Sequence, residues 1–86
     1  RVYKNIPETN FEVADKEGTM KAVEASYTDE AQSIDWLDGV TVRISDTAWF
    51  NLRPSNTEPL LRLNAEAKTQ EELDAIVARV RSVAGL

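Results

Sequence analysis

The stretch Arg53-Pro54-Ser55-Asn56-Thr57-Glu58-Pro59 is where the residue types converge on one chemistry. Arg53 offers five donors in a planar fork that fits two oxygens of a phosphate. Ser55, Asn56 and Thr57 add neutral side-chain donors, and their successive backbone N–H groups can turn toward an anion. Pro54 stiffens the approach and lowers the entropy lost on binding. None of these groups titrates near neutrality. The set can hold a phosphate but cannot move a proton, so no catalytic residue is assigned. The same residue types also build ordinary turns, and Arg53 has Glu58 nearby as an ion-pair partner. Composition and spacing alone leave both readings open.

Little else in the chain offers chemistry. It has no cysteine, which excludes disulfides, thiolate catalysis and Cys-based metal sites. It has no histidine, which removes the commonest general base and metal ligand. Asp15, Glu17, Asp29, Glu30, Asp35 and Asp38 are scattered and read as a solvated acidic surface. Glu71, Glu72 and Asp74 favour the dipole at the start of the last helix. No metal site is assigned. Trp36 and Trp49 read as packing residues rather than sugar platforms. Arg43 and Arg62 suit cross-strand ion pairs better than a widened positive field around the loop.

The elements that must position the loop follow from periodicity. Phe11 and Val13 alternate with Glu12 as a short strand. Asp15 caps a helix whose apolar face is Met20, Val23 and Tyr27, with Gly18 weakening its first turn. Ile34 and Trp36, then Val40, Val42 and Ile44, form two arms of a hairpin. Asp38-Gly39 between them predicts a type I′ turn. After a turn at Ser45–Thr47, residues 48–53 form a strand with Ala48, Phe50 and Leu52 on one face and Trp49, Asn51 and Arg53 on the other. Pro54 and Pro59 bracket the loop, so neither end is expected to continue a ladder. Leu61, Leu63 and Ala65 mark the next strand. Thr69 and Glu72 form a capping box for a helix along Leu73, Ile76, Val77, Val80 and Val83, stopped by Gly85. The order is strand, helix, four strands, helix. It predicts an α+β two-layer sandwich, an antiparallel sheet with its helices on one face.

With 86 residues and a 42% hydrophobic fraction, the chain has room for one domain with one core, spanning residues 1–86. The net charge is -5. Residues 1–38 hold nine acids and four bases, while residues 39–86 hold six of each. An acidic balance argues against nucleic acid as a partner and gives no support for attachment to an anionic membrane. No apolar run suits a membrane span, and no signal peptide is visible. The first residue is Arg1 rather than Met, which suggests a piece of a longer chain.

Loop and context together resemble the α-D-phosphohexomutase family, which includes phosphomannomutases and phosphoglucomutases. The family's phosphate-binding loop reads Arg, a small residue or Pro, Ser, Gly or Asn, Thr, Glu, Pro, as Arg53–Pro59 does. Asp38-Gly39-Val40 matches the strand entry upstream, and Trp49-Phe50-Asn51-Leu52 the aromatic strand into the loop. Leu61-Arg62-Leu63 and Glu66-Ala67 match the strand after it, and the capped terminal helix also matches. Ile6-Pro7-Glu8-Thr9-Asn10 departs from the frequent Ser-Gly-Glu-Ile-Asn, keeping only Glu8 and Asn10. Asn56 in place of Gly leans toward phosphomannomutase/phosphoglucomutase members.

The resemblance implies the fourth, C-terminal domain of such an enzyme, with a TATA-binding-protein-like fold. Arg53, Ser55, Asn56 and Thr57 would contact the phosphate of a hexose phosphate substrate. A phosphoserine, Mg²⁺ and the groups that read the sugar would sit on the other domains, its remaining partners. The implied domain needs no cofactor of its own, is inactive when isolated, and swings on a hinge near its N-terminus. A cytoplasmic location is expected from the family and the lack of targeting signals. A stand-alone, non-catalytic phosphate-binding module is the alternative. A βαββαβ RNA-binding domain would need a helix between its third and fourth strands, where this sequence has turns.

Overall fold

Eight elements follow one another in the computed structural model, which describes residues 3–86. They are β1 (Lys4–Asn5), β2 (Thr9–Glu12), α1 (Lys16–Tyr27), β3 (Ser33–Asp35), β4 (Val40–Arg43), β5 (Trp49–Pro54), β6 (Leu60–Ala67) and α2 (Gln70–Val83). The strands form one antiparallel sheet in the order β1-β6-β5-β4-β3, and β2 also pairs with β6. Both helices pack on one side, giving the expected α+β sandwich. Residues 1 and 2, where the expectation of an N-terminal hinge reaches, lie outside the described residues.

Alternation decides which face is covered. Phe50 and Leu52 of β5, Val40 and Val42 of β4, and Leu61 and Leu63 of β6 are almost wholly buried. Met20, Val23 and Tyr27 of α1 and Leu73, Ile76 and Val80 of α2 close over them. The opposite face carries Thr41, Asn51, Arg53, Arg62, Asn64 and Glu66, half-buried and polar. Tyr27 packs against Phe50 with ring centroids 5.0 Å apart and planes tilted by 56°, and the Arg79 guanidinium lies 4.2 Å over the Tyr27 ring. Arg79 also bonds Glu30 at 2.8 Å, so this cluster joins the end of α1 to α2.

The helix ends follow their sequence signals. The Asp15 side chain accepts from Gly18 N at 2.9 Å. A Cβ on Gly18 would press against that carboxylate, 2.8 Å from its Cγ. The residue that weakens the first turn therefore also makes room for its cap. Thr69 and Glu72 form the full capping box. Gly85 takes φ 82, with Gly85 N bonded to Ser82 O and Leu86 N to Arg81 O, the two bonds of a Schellman motif.

Four local readings are corrected. The β3–β4 connection is longer than a two-residue type I′ turn: Gly39 has φ 64, but no described non-glycine residue has positive φ. The Asp35 side chain instead accepts from Leu37 N at 3.2 Å and turns the chain two residues earlier. Trp36 consequently lies beyond the strand, 40% exposed, with its indole N–H on Glu24 at 3.0 Å rather than in the core. The ladder also runs through Pro54, which pairs with Leu61. Ser55 N bonds Leu60 O, so the 54/61 pair is the non-hydrogen-bonded kind and the Pro54 nitrogen faces away from β6. No β4 residue pairs with Pro54 on the other side of β5, because β4 pairing ends at Leu52. Lastly, β1 was not expected. Residues 6–8 face only 64 and 65 of β6, an interruption containing Pro7 that splits one edge strand into β1 and β2.

Candidate functional site

The β5–β6 hairpin builds the site. Arg53 is directly opposite Arg62 in the ladder, so both guanidinium groups stand on the uncovered face. Two cations across from each other repel. Each has an acid beside it: Arg53 Nη1 reaches Asp38 Oδ2 at 3.1 Å, and Arg62 Nη1 reaches Glu8 Oε2 at 3.1 Å. The expected Glu58 is therefore not the partner of Arg53. Asp38 arrives from the β3–β4 tip, and Asn51 secures that tip by donating to Asp38 O at 2.7 Å and Thr41 Oγ1 at 3.0 Å. Arg62 makes its ion pair to Glu8 in the segment before β2 rather than to a residue across the ladder, and among the described residues Arg43 has no ion pair.

Beyond Pro54 the chain turns on Ser55, the one buried polar residue among those described, at 4% exposure. Its Oγ lies 3.4 Å from Thr57 N and 3.3 Å from Glu58 N and accepts from both. A hydroxyl that accepts twice still has its own proton to donate. Leu60 N bonds Glu58 O at 2.8 Å, a three-residue turn around Pro59 that returns the chain to β6. Behind the loop, Lys16 Nζ donates to Ser55 O at 2.7 Å and Glu58 O at 3.1 Å. Val13 N also bonds Pro59 O at 2.9 Å.

These elements enclose a cleft of about 620 Å³. Arg53, Ser55, Asn56 and Thr57 all line it, together with Arg62 and the tip Leu37–Gly39. The Asn56 and Thr57 side chains are exposed, but the expected run of three backbone donors is reduced to one, because Ser55 N is taken by Leu60 O and Thr57 N by Ser55 Oγ, leaving the Asn56 N–H. The cleft thus gathers two guanidinium groups and several neutral donors, with Asp38 the one acid in its lining. Such a set suits a doubly charged oxyanion, and its one carboxylate, Asp38, is held in the ion pair with Arg53. Leu37 at the rim is 94% exposed.

Sequence reasoning named the loop but missed its supports. The Arg53–Arg62 juxtaposition had a signal, since both lie on the same-parity face of adjacent strands. The Asp38 and Lys16 contacts had none, because they depend on the β4–β5 register and on where α1 docks. Arg43, exposed on β4, does not line the cleft. Trp49 is half-buried on the open face, its indole N–H on Glu66 at 3.0 Å.

Comparison with known proteins gives consistent matches. Residues 8–83 fit the family model described as phosphoglucomutase/phosphomannomutase, C-terminal domain. A phosphomannomutase of Methanocaldococcus jannaschii is 37% identical over 81 residues, covering 94% of this chain and 17% of that protein. A phosphomannomutase of Salmonella typhimurium is 39% identical over 80 residues, again 17% of its length. A probable phosphoglucosamine mutase of Methanosphaera stadtmanae is 41% identical over 64 residues. Among solved structures, a phosphoglucomutase/phosphomannomutase family protein from Burkholderia thailandensis superimposes with a TM-score of 0.71 at 22% identity, over 99% of this chain and 18% of that one. The chain therefore spans about a sixth of the relatives it matches.

Proposed function

Since this chain belongs to the phosphoglucomutase/phosphomannomutase family and matches its C-terminal domain, we propose that it clamps the phosphate of a hexose phosphate substrate in a longer phosphohexomutase. The parent enzyme would move phosphate between C1 and C6 of the hexose through a phosphoserine and a bisphosphate intermediate. Arg53 carries charge to the phosphate; Ser55, Asn56 and Thr57 orient it. Arg62 adds a second positive charge. The carrying observation is that all four loop residues and Arg62 line one cleft.

The chemistry of the cleft suits the task. A bisphosphate that reorients must present either phosphate to the same clamp, and guanidinium and hydroxyl donors recognise a phosphate without reading the ring behind it. Binding energy from a remote phosphate can assist the chemical step by fixing the substrate. The phosphoserine and the acids that hold Mg²⁺ would belong to other parts of the longer protein, so residues 1–86 alone should show no mutase activity. Among the described residues no three acids are gathered for a metal. Lid-like closure of this domain over substrate is part of the proposal. Among the described residues no helix is long and apolar enough to cross a membrane.

The test is an NMR titration of this chain with mannose 1-phosphate and glucose 1-phosphate, following the amides of Arg53, Ser55, Asn56 and Thr57. Localised shifts at roughly millimolar ligand, equal for both sugars, are expected for one module with a few phosphate contacts. Absence of shifts at these amides at saturating ligand would overturn the reading.

A further inference from the structure

Lys16 is the first residue of α1. A cation there opposes the positive end of the helix dipole, where acids such as the neighbouring Glu17 are favoured. Local helix chemistry therefore does not explain this lysine. Nor does an ion pair, for among the described residues Lys16 has no carboxylate partner. Its ammonium instead goes to two carbonyl oxygens 39 and 42 residues away, Ser55 O and Glu58 O.

Those two carbonyls belong to the loop that lines the cleft. In a trans peptide the C=O and the following N–H point in opposite directions. Drawing Ser55 O toward Lys16 therefore aims the Asn56 N–H away from α1. That N–H has no partner among the described residues, whereas the next two amides are taken by Ser55 Oγ. Glu58 O is also the acceptor of the turn that brings Leu60 back into β6. One ammonium thus bridges the entry and the exit of the loop.

Resting on the phosphate-clamp reading above, we propose that Lys16 is a positioning residue: it locks the 55–58 backbone so that the Asn56 N–H is presented to the substrate phosphate, and it couples that loop to α1. Lys16 does not line the cleft. It acts through the backbone, and its charge adds to the positive field behind the loop.

The test compares the unchanged chain with Lys16→Met and Lys16→Arg, titrated with inorganic phosphate and followed at the Asn56 and Thr57 amides. Hydrogen exchange of the Glu58 and Leu60 amides is measured without ligand, and thermal unfolding reports on folding. Lys16→Met should weaken phosphate binding by roughly tenfold, the scale of losing charged hydrogen bonds. It should speed exchange at Glu58 and Leu60, while Lys16→Arg restores both. The weakening should persist at high salt, which screens the field of the ammonium but not a lost backbone geometry. Should Lys16→Met fail to fold, the same comparison is made with Lys16→Gln and with the Lys16 ammonium resonance of the unchanged chain, which must move on adding phosphate. Phosphate affinity within twofold of the unchanged chain, with unaltered loop exchange, would overturn the role of Lys16 and leave the clamp standing. If the unchanged chain shows no phosphate-dependent shift at the loop, both proposals fall.

Discussion

Arg53 is tied to its surroundings by an exposed ion pair, and such a pair contributes at most about 1 kcal/mol to stability. A charged hydrogen bond to a bound phosphate is worth more, about 1.5–3 kcal/mol. The two quantities separate cleanly on substitution. Arg53→Ala should leave the melting temperature of the chain within a few degrees and raise its Kd for sugar phosphate by roughly tenfold or more. In a full-length mutase the same change should cost roughly 2–4 kcal/mol in kcat/KM; a loss under about threefold would remove Arg53 from the clamp. Ser55 behaves differently. It is buried and its Oγ accepts from two loop amides, so Ser55→Ala should lower both stability and binding, because it leaves the Thr57 and Glu58 amides without an acceptor.

Elements decide whether those side chains meet. The β3–β4 tip reaches Arg53 only because Gly39 lets the chain pass close to β5 with positive φ. A Cβ at Gly39 would press on Leu52 O and lie 2.6 Å from Arg53 Cβ. Gly39→Ala should destabilise the chain by roughly 1–3 kcal/mol and displace Arg53, lowering phosphate affinity as well; denaturant unfolding and the titration together check this. At α2, Thr69→Ala removes the capping box and should cost about 1 kcal/mol with no change in ligand affinity, since the helix end is remote from the cleft. The junction of α1 and α2 gives a pH signature. Burial pushes the Tyr27 hydroxyl above its ordinary pKa of 10.0, partly opposed by the Arg79 guanidinium. A folded pKa above the unfolded one means that stability is intact below pH 10 and declines as pH rises through and beyond it. Tyr27→Phe should shift the alkaline limb of a stability–pH curve to higher pH.

At the scale of the molecule, one core runs through both layers. It takes residues from α1, α2 and the sheet strands β2, β4, β5 and β6, with no break between them. Residues 1–86 should therefore unfold in one cooperative transition, with coincident midpoints by fluorescence and circular dichroism; two separated transitions would contradict a single domain. The second face of the sheet is polar and half-buried rather than apolar. It holds Arg53 and Arg62 side by side on a chain whose net charge is -5. An anion approaching this face would meet local attraction against a repulsive whole, and screening affects the two terms differently with distance.

The alternating faces of β5 and β6, both helix caps and the residue set of the loop are legible in the order of residues alone. Each rests on contacts within a few positions of the chain: a two-residue period, a side chain bonding an amide three residues on, a glycine closing a helix. Errors arose where local rules met long-range partners. Asp38-Gly39 has the composition of a tight turn, yet Asp35 turns the chain first and Asn51, thirteen residues on, holds the tip. Pro54 is a ladder breaker in general, yet it fits where β4 has already ended. That Arg53 meets Asp38 rather than Glu58, that Arg62 faces the same cleft, and that Lys16 holds the loop from behind emerge only once the chain is folded. Those contacts join residues as far as 42 positions apart, and they form because sheet register and helix docking, fixed by burial of the core, carry the side chains together.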